Sequence, residues 1–347
     1  MKQIRVGVVG VGMWGTVHIR GYAQHAGAEV AAVCDLDEAR AREAARQWHI
    51  PKWYTSVGEM LAKEKLDAVS VATPDAAHAE PVIECANAGL HILCEKPMAT
   101  TVEECEAMLA AAEASGVHLM IDWHNRWNPP VVEAWKSIRG GELGEVRYIY
   151  YRLSDTVYVP LKMLPWAGRS NVLLFLGSHA LDTTCWLMGR GPVRVTCRRM
   201  EGTLRSMGAD TPDMYVTVLD FDDGAIAVIE NSWLLPQSSA SLIDHKVEII
   251  GTKGAVYVDP THCRAVEKYT GRTPEGHPHA SYPDMFVTPE VHGRMLGLAI
   301  ESITHFVECV REGMPPLATG EDGLLNTKLL LACEESADKG GAAIDAA

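Results

Sequence analysis

The chain has 347 residues, with 31 Lys and Arg set against 45 Asp and Glu, for a formal net charge of −14. That length is ample for two domains with their own cores, and the negative charge argues against nucleic acid or an anionic membrane surface as a partner. Nine cysteines with no CxxC pair, no apolar run of spanning length and no apolar leader fit a reduced, cytoplasmic protein better than a disulfide framework or a zinc site.

The first third alternates between two patterns. Short apolar strands are expected near Ile4–Val9, Val30–Cys34, Ala68–Val71, His91–Leu93 and His118–Ile121. Helical patterns separate them at about Met13–Gln24, Asp37–Gln47, Val57–Ala62, Ala79–Ala88 and Thr101–Ala114. Strand and helix in alternation imply a doubly wound parallel sheet, with ligands at the carboxyl ends of its strands. Residues 1–123 are taken as this Rossmann domain.

The first strand runs into Gly10-Val11-Gly12-Met13-Trp14-Gly15, a GxGxxG turn. Gly10 permits the bend, Gly12 admits backbone close to a pyrophosphate, and Gly15 lets the next helix pack on the strand. The helix N-terminus, with Met13 and Trp14, then presents N–H groups to the phosphates. Twenty residues after Gly15 the second strand ends at Asp35, where a carboxylate accepts hydrogen bonds from ribose hydroxyls. Leu36 and Asp37 follow, with no adjacent cation for a 2′-phosphate. The expected cofactor is NAD.

Three later strand ends carry unusual residues: Thr73-Pro74 with His78, Glu95-Lys96-Pro97, and Trp123 with Arg126. Thr73, Pro74, His78, Glu95, Lys96 and Arg126 are expected to line the cofactor, and Lys96, Trp123 and Arg126 also the substrate. A lysine held between a glutamate and a proline at the same edge as the glycine turn is a candidate for chemistry.

Residues 124–347 change grammar. After a helical pattern at Val131–Arg139 come alternating runs at Val146–Leu153, Val193–Arg198, Met214–Phe221, Ala225–Trp233, Lys246–Ile250 and Ala255–Val258. Asp222-Asp223-Gly224 and Gly251-Thr252-Lys253-Gly254 are hairpin turn signals. An α+β domain with an open, largely antiparallel sheet is expected, with a helix at about Val172–Met188 and closing helices near Met295–Arg311 and Glu321–Ala337. Trp233 is read as core first. His262, His277, His279 and His292 lie in or beside a Pro- and Gly-rich stretch without metal-ligand spacing, so no metal is expected.

The chain resembles the glucose–fructose oxidoreductase, inositol dehydrogenase and MocA family. GVGMWG at 10–15, Asp35, ATP before His78, EKP at 95–97, NRW at 125–127, LGSHALD at 176–182 and EDGL at 321–324 carry the resemblance over nearly its whole length. It implies oxidation of a ring alcohol, with Lys96 and His179, from different halves of the polypeptide, as catalytic residues. It also implies a homodimer or homotetramer formed through the open sheet face.

The resemblance has one departure. Family dehydrogenases carry a carboxylate four residues before the histidine, and this chain has Phe175 there. Three readings stay open: His179 oriented by Asp155 or Asp182, Lys96 as principal base, or Phe175 stacking on a flatter substrate. Asp155, Tyr158, Phe175 and His179 are expected to border the substrate, a sugar or polyol, since ring faces beside hydrogen-bonding groups suit carbohydrate. Beside NAD-dependent dehydrogenation stand a redox-neutral, glycoside-cleaving NAD enzyme of the same family and a non-catalytic dinucleotide or sugar sensor.

Overall fold

A computed structural model describes residues 3–164, 166–261 and 287–346. The chain divides into two compact units, and the division is not a single cut: residues 1–127 with 287–327 form one, residues 128–286 with 328–347 the other.

In the first unit the apolar runs become strands β1 (Ile4–Val9), β2 (Ala28–Cys34), β3 (Lys52–Tyr54), β4 (Ala68–Val71), β5 (His91–Cys94) and β6 (Leu119–Ile121). Among the described residues they form one parallel sheet in the order β3-β2-β1-β4-β5-β6. Helices α1 (Met13–Gln24), α2 (Glu38–Gln47), α3 (Val57–Lys63), α4 (Ala79–Asn87) and α5 (Val102–Ser115) connect them. The helix starts carry local signals: Asp37, Ser56 and Thr101 each accept the backbone N–H three residues on. Alternate residues of one strand feed opposite faces. Ile92 and Cys94 enter one core with Met108 and Trp123, while Leu93 joins Ile19 and Tyr22 in the other. Strand β3 was not foreseen, because three residues with two exposed side chains show no usable alternation.

The second unit contains α6 (Pro129–Arg139), β7 (Val146–Asp155), α7 (Ser178–Met188), β8 (Arg194–Met200), α8 (Thr203–Ser206), β9 (Met214–Asp220), β10 (Ile226–Ser232), β11 (Ile243–Gly251) and β12 (Ala255–Val258). The turn at Asp222–Gly224 joins β9 to β10, and Gly251–Gly254 joins β11 to β12, both as antiparallel hairpins. One pair, β7 with β10, is parallel. The expected single helix over 172–188 differs: Leu173–Gly177 is a π-helical turn, and regular α-helix begins only at Ser178. Asn171 Oδ1 accepts the Leu174 N–H, and Ser178 Oγ donates to Leu174 O, so polar side chains serve the irregular backbone.

The remaining segment starts with the short hairpin β13 (Glu290–Val291) and β14 (Arg294–Met295), and α9 (Leu298–Glu312), all within the first unit. Phe306, Ile303 and Val307 of α9 pack in the same core as Tyr22 and Leu93. Helix α10 (Gly320–Asp338) contributes residues to both units, and β15 (Ile344–Asp345) pairs with β8 to complete a seven-stranded sheet, β12-β11-β7-β10-β9-β8-β15. No helix among the described residues is long and apolar enough to cross a membrane.

Candidate active site

The glycine turn is built as the spacing required. Gly10 has φ +83°, a left-handed conformation, and a Cβ there would lie 2.6 Å from Ala72 O. A Cβ on Gly15 would meet Gly10 O at 1.9 Å, so only glycine lets α1 start this close to β1. A Cβ on Gly12 would meet nothing within 4 Å. That open cradle lies at the start of α1, whose first turn carries no acidic side chain and no side-chain cap. Its N–H groups are therefore available to an anion. Met13 and Leu36 are exposed at 54% and 93%, unusual for large apolar groups, and Trp14 stacks on His124 with ring centroids 5.2 Å apart.

Asp35 is buried to 8% exposure and tied to the turn: Oδ2 accepts the Val11 N–H at 3.0 Å and Oδ1 the Asp37 N–H at 2.9 Å. Sequence reading found no cation beside it, but Arg40, in the first turn of α2, brings Nη1 to 3.5 Å from Asp35 Oδ2 and Nη2 to 3.6 Å from Asp37 Oδ2. Two carboxylates hold that guanidinium. The open cradle, the free helix N-terminus and the anchored carboxylate together fit NAD.

The other strand ends divide. Thr73 is half-buried, its hydroxyl donating to Ala77 O, and Pro74 is exposed. His78, expected at the cofactor, is 1% exposed, with one ring nitrogen 2.9 Å from Pro97 O and the other 2.9 Å from Thr73 O. It ties two loops together. Glu95 also points inward, with Oε1 3.0 Å from His18 Nε2. Trp123, expected at the substrate, has no exposed surface and sits in the core, where a diffusing molecule cannot touch it. Arg126 donates to Leu317 O at 2.7 Å and Asp322 Oδ2 at 3.0 Å, joining the segment after β6 to the start of α10.

Lys96 is 8% exposed, and the Lys96–Pro97 peptide is cis. Its ammonium acts electrostatically on Glu95, Asp122 and His124. Burial pushes Glu95 upward, but the hydrogen bond and charge of His18 hold it below the usual carboxylate range. Burial and the Glu95 charge raise Asp122 to about 7, and burial lowers His124 to about 4. The sequence alone does not single out His18, which lies three residues beyond Gly15, or Asp122 and His124 at the end of β6. A histidine on the inward face of a helix carries no local signal of its partners.

In the second unit, His179 opens α7 and is 6% exposed, with Asp182 buried one turn on. Phe175 lies in the π-helical turn, half-buried, its ring 6.0 Å from that of Trp166 and 5.9 Å from that of Trp233. Counting four residues back from His179 assumes continuous α-helix, and the π turn changes that register. Trp233 is fully buried and donates its Nε1–H to Asp155 Oδ2 at 3.3 Å; Asp155 itself is 2% exposed. Tyr158, half-buried, precedes the π-helical turn Val159–Met163. Of the four histidines weighed for a metal, His262, His277 and His279 lie outside the described residues, and His292 is exposed at a positive φ of 49°.

Residues 4–123 match a family model described as an oxidoreductase family, NAD-binding Rossmann fold, and residues 136–344 match that family's C-terminal alpha/beta domain. The chain is 26% identical over 346 residues to D-apiose dehydrogenase of Paraburkholderia graminis, covering 98% of this chain and 89% of that one. It is 26% identical over 337 residues to scyllo-inositol 2-dehydrogenase (NAD(+)) of Bacillus subtilis, covering 96% and 94%. The crystal structure of GenD2 from gentamicin A biosynthesis in complex with NAD superposes with a TM-score of 0.85 at 26% identity, covering 99% and 97%.

Proposed function

This chain belongs to the oxidoreductase family of glucose–fructose oxidoreductase, inositol dehydrogenase and MocA, and on that premise we propose that it oxidises a secondary ring hydroxyl of a sugar, sugar derivative or inositol. NAD, when bound, supplies the hydride acceptor. The observation that carries the reading is Lys96, a buried lysine at the carboxyl end of β5, among Glu95, Asp122 and His124.

The chain's own residues divide the work. Gly12 and the α1 N-terminus hold the pyrophosphate, and Asp35 accepts from the adenosine ribose. The Lys96 ammonium donates to the substrate hydroxyl oxygen and steadies the negative charge that grows there, while the His179 imidazole takes the hydroxyl proton. Phe175 and Tyr158 offer ring faces to the axial hydrogens of the substrate, and Asp155, anchored by Trp233, a carboxylate to its hydroxyls. The first unit, which takes in residues 287–327 besides the expected 1–123, serves as the cofactor unit, and the second as the substrate and assembly unit. The less buried face of the seven-stranded sheet joins subunits in a homodimer or homotetramer in the cytoplasm.

The test is a panel of inositols, aldoses and their derivatives, followed by NADH absorbance, with Lys96→Ala alongside. Loss of a positioned acid or base costs about 10²–10⁴-fold in rate, so kcat should fall by that much while the NAD dissociation constant stays within about threefold. Release of an aglycone without net NADH supports the redox-neutral alternative. NAD binding with neither product supports a sensor.

A further inference from the structure

The first unit holds a line of polar side chains to which the reaction, as read above, gives no part. His18 and Tyr22 stand one turn apart on the inward face of α1, both with no exposed surface. Tyr22 Oη is 2.6 Å from Ser70 Oγ of β4, and that oxygen is 2.9 Å from His18 Nδ1. On its other side, His18 Nε2 is 3.0 Å from Glu95 Oε1 and 3.5 Å from Asp122 Oδ2. The second Glu95 oxygen accepts the backbone N–H of Lys96 at 3.2 Å, and His124 Nδ1 approaches Asp122 Oδ1 at 3.9 Å.

Elementary electrostatics limits what this arrangement can be. Two carboxylates that face one imidazole nitrogen, away from water, oppose one another's ionisation, so the three groups titrate together rather than singly. Ser70 and Tyr22 can each donate or accept, so the line adapts to either tautomer of His18. The neighbours are otherwise few in kind. Lys96 and His124 add positive or neutral charge, the Cys94 thiol is held neutral by burial, and Ser302 of α9 bonds Asp122.

We propose that His18, Glu95 and Asp122 form a buried proton-sharing network that sets the charge facing Lys96, with His18 and Asp122 as positioning residues for its ammonium. Ionisation of Asp122 adds one negative charge beside the lysine and strengthens its hold on a proton; protonation removes it. Burial and the neighbouring Glu95 charge raise the Asp122 carboxyl, so its charge is one the surrounding groups can switch. The proposal rests on the reading of Lys96 as the charged group of the reaction. The same three residues also offer ligand atoms within 4.8 Å of one another, the spacing a metal ion would need, and the experiment separates the two.

The measurement is trace acetylation of Lys96 in the full-length protein as a function of pH, read by peptide mass spectrometry, in wild type, Asp122→Asn and His18→Gln. Wild type should show a two-step curve with one inflection near neutrality. D122N should lose that inflection and move the lysine midpoint down by about half a unit or more, as removal of a nearby anion requires. H18Q should displace the inflection while leaving NAD affinity within about threefold. If D122N fails to fold, carboxyl ¹³C shifts of aspartate-labelled wild type serve instead: one carbon should titrate near neutrality, far above the ordinary value of about 3.9. A lysine midpoint unmoved in D122N, no carboxyl titrating near neutrality, or a stoichiometric metal in the purified protein would overturn the network. None of these readouts needs turnover, so a polyol panel without NADH would sink the oxidation reading and leave the network standing.

Discussion

Asp35 offers the sharpest test of the cofactor reading. Its carboxylate is fixed by the Val11 and Asp37 N–H groups at 3.0 and 2.9 Å and restrains Arg40 at 3.5 Å. Replacing it with Asn keeps the shape and leaves one oxygen for the Val11 N–H, so the turn survives. The charge is lost. A hydrogen bond to a charged acceptor contributes about 1.5–3 kcal/mol, so NAD should bind about 10- to 100-fold more weakly. NADP responds in the opposite direction. Opposing unit charges or like ones at about 5 Å in an effective dielectric of about 20 interact by about 3 kcal/mol, and exposure at Arg40 reduces this. Removing the repulsion and releasing Arg40 should tighten NADP about tenfold, moving the NADP-to-NAD ratio by about 10²–10³. Calorimetric titration of both dinucleotides reads it directly. A ratio that shifts by less than about threefold, in a protein that melts as wild type does, would refute the assignment of Asp35 to the ribose.

Other outcomes follow from the same geometry. Arg126→Ala removes the bonds to Leu317 O and Asp322 but leaves Asp322 35% exposed and able to hydrate, so the loss should be about 2 kcal/mol, seen as a melting temperature several degrees lower. His245, 4% exposed and stacked on Tyr151, has its pKa lowered from 6.5 to about 4 by burial. The unfolded state therefore binds more protons below about pH 6.5, and stability falls with acidification until the folded state also titrates. Between about pH 7.5 and pH 5 that one group should cost about 2 kcal/mol, and urea titrations should show His245→Gln losing that much less than wild type. Phe175→Leu removes the ring face offered to the substrate, worth about 1 kcal/mol, and should raise KM for the polyol about fivefold with kcat within about twofold. An unchanged KM would place that ring in packing alone.

Local chemistry was enough for the glycine turn and the strands and helices that flank it. A β-branched run, three glycines at fixed offsets and a carboxylate twenty residues on specify strand, turn, helix and strand, because each residue acts on its own backbone or its next neighbours. The hairpins at Asp222–Gly224 and Gly251–Gly254 were legible for the same reason. Lys96 stood out because proline and glutamate flank it, and Phe175 because the resemblance placed a carboxylate there. What tertiary structure alone decided is which way the side chains face and whom they meet. His78, Glu95, Trp123 and Arg126 all lie near the strand ends, yet they turn inward or into loop ties. His18, Ser70, Glu95 and Asp122 come from four elements up to 104 residues apart and meet only because a parallel sheet brings α1 over the ends of β5 and β6. Spacing along the chain records periodicity and turn chemistry; it does not record distances between elements that only packing brings together.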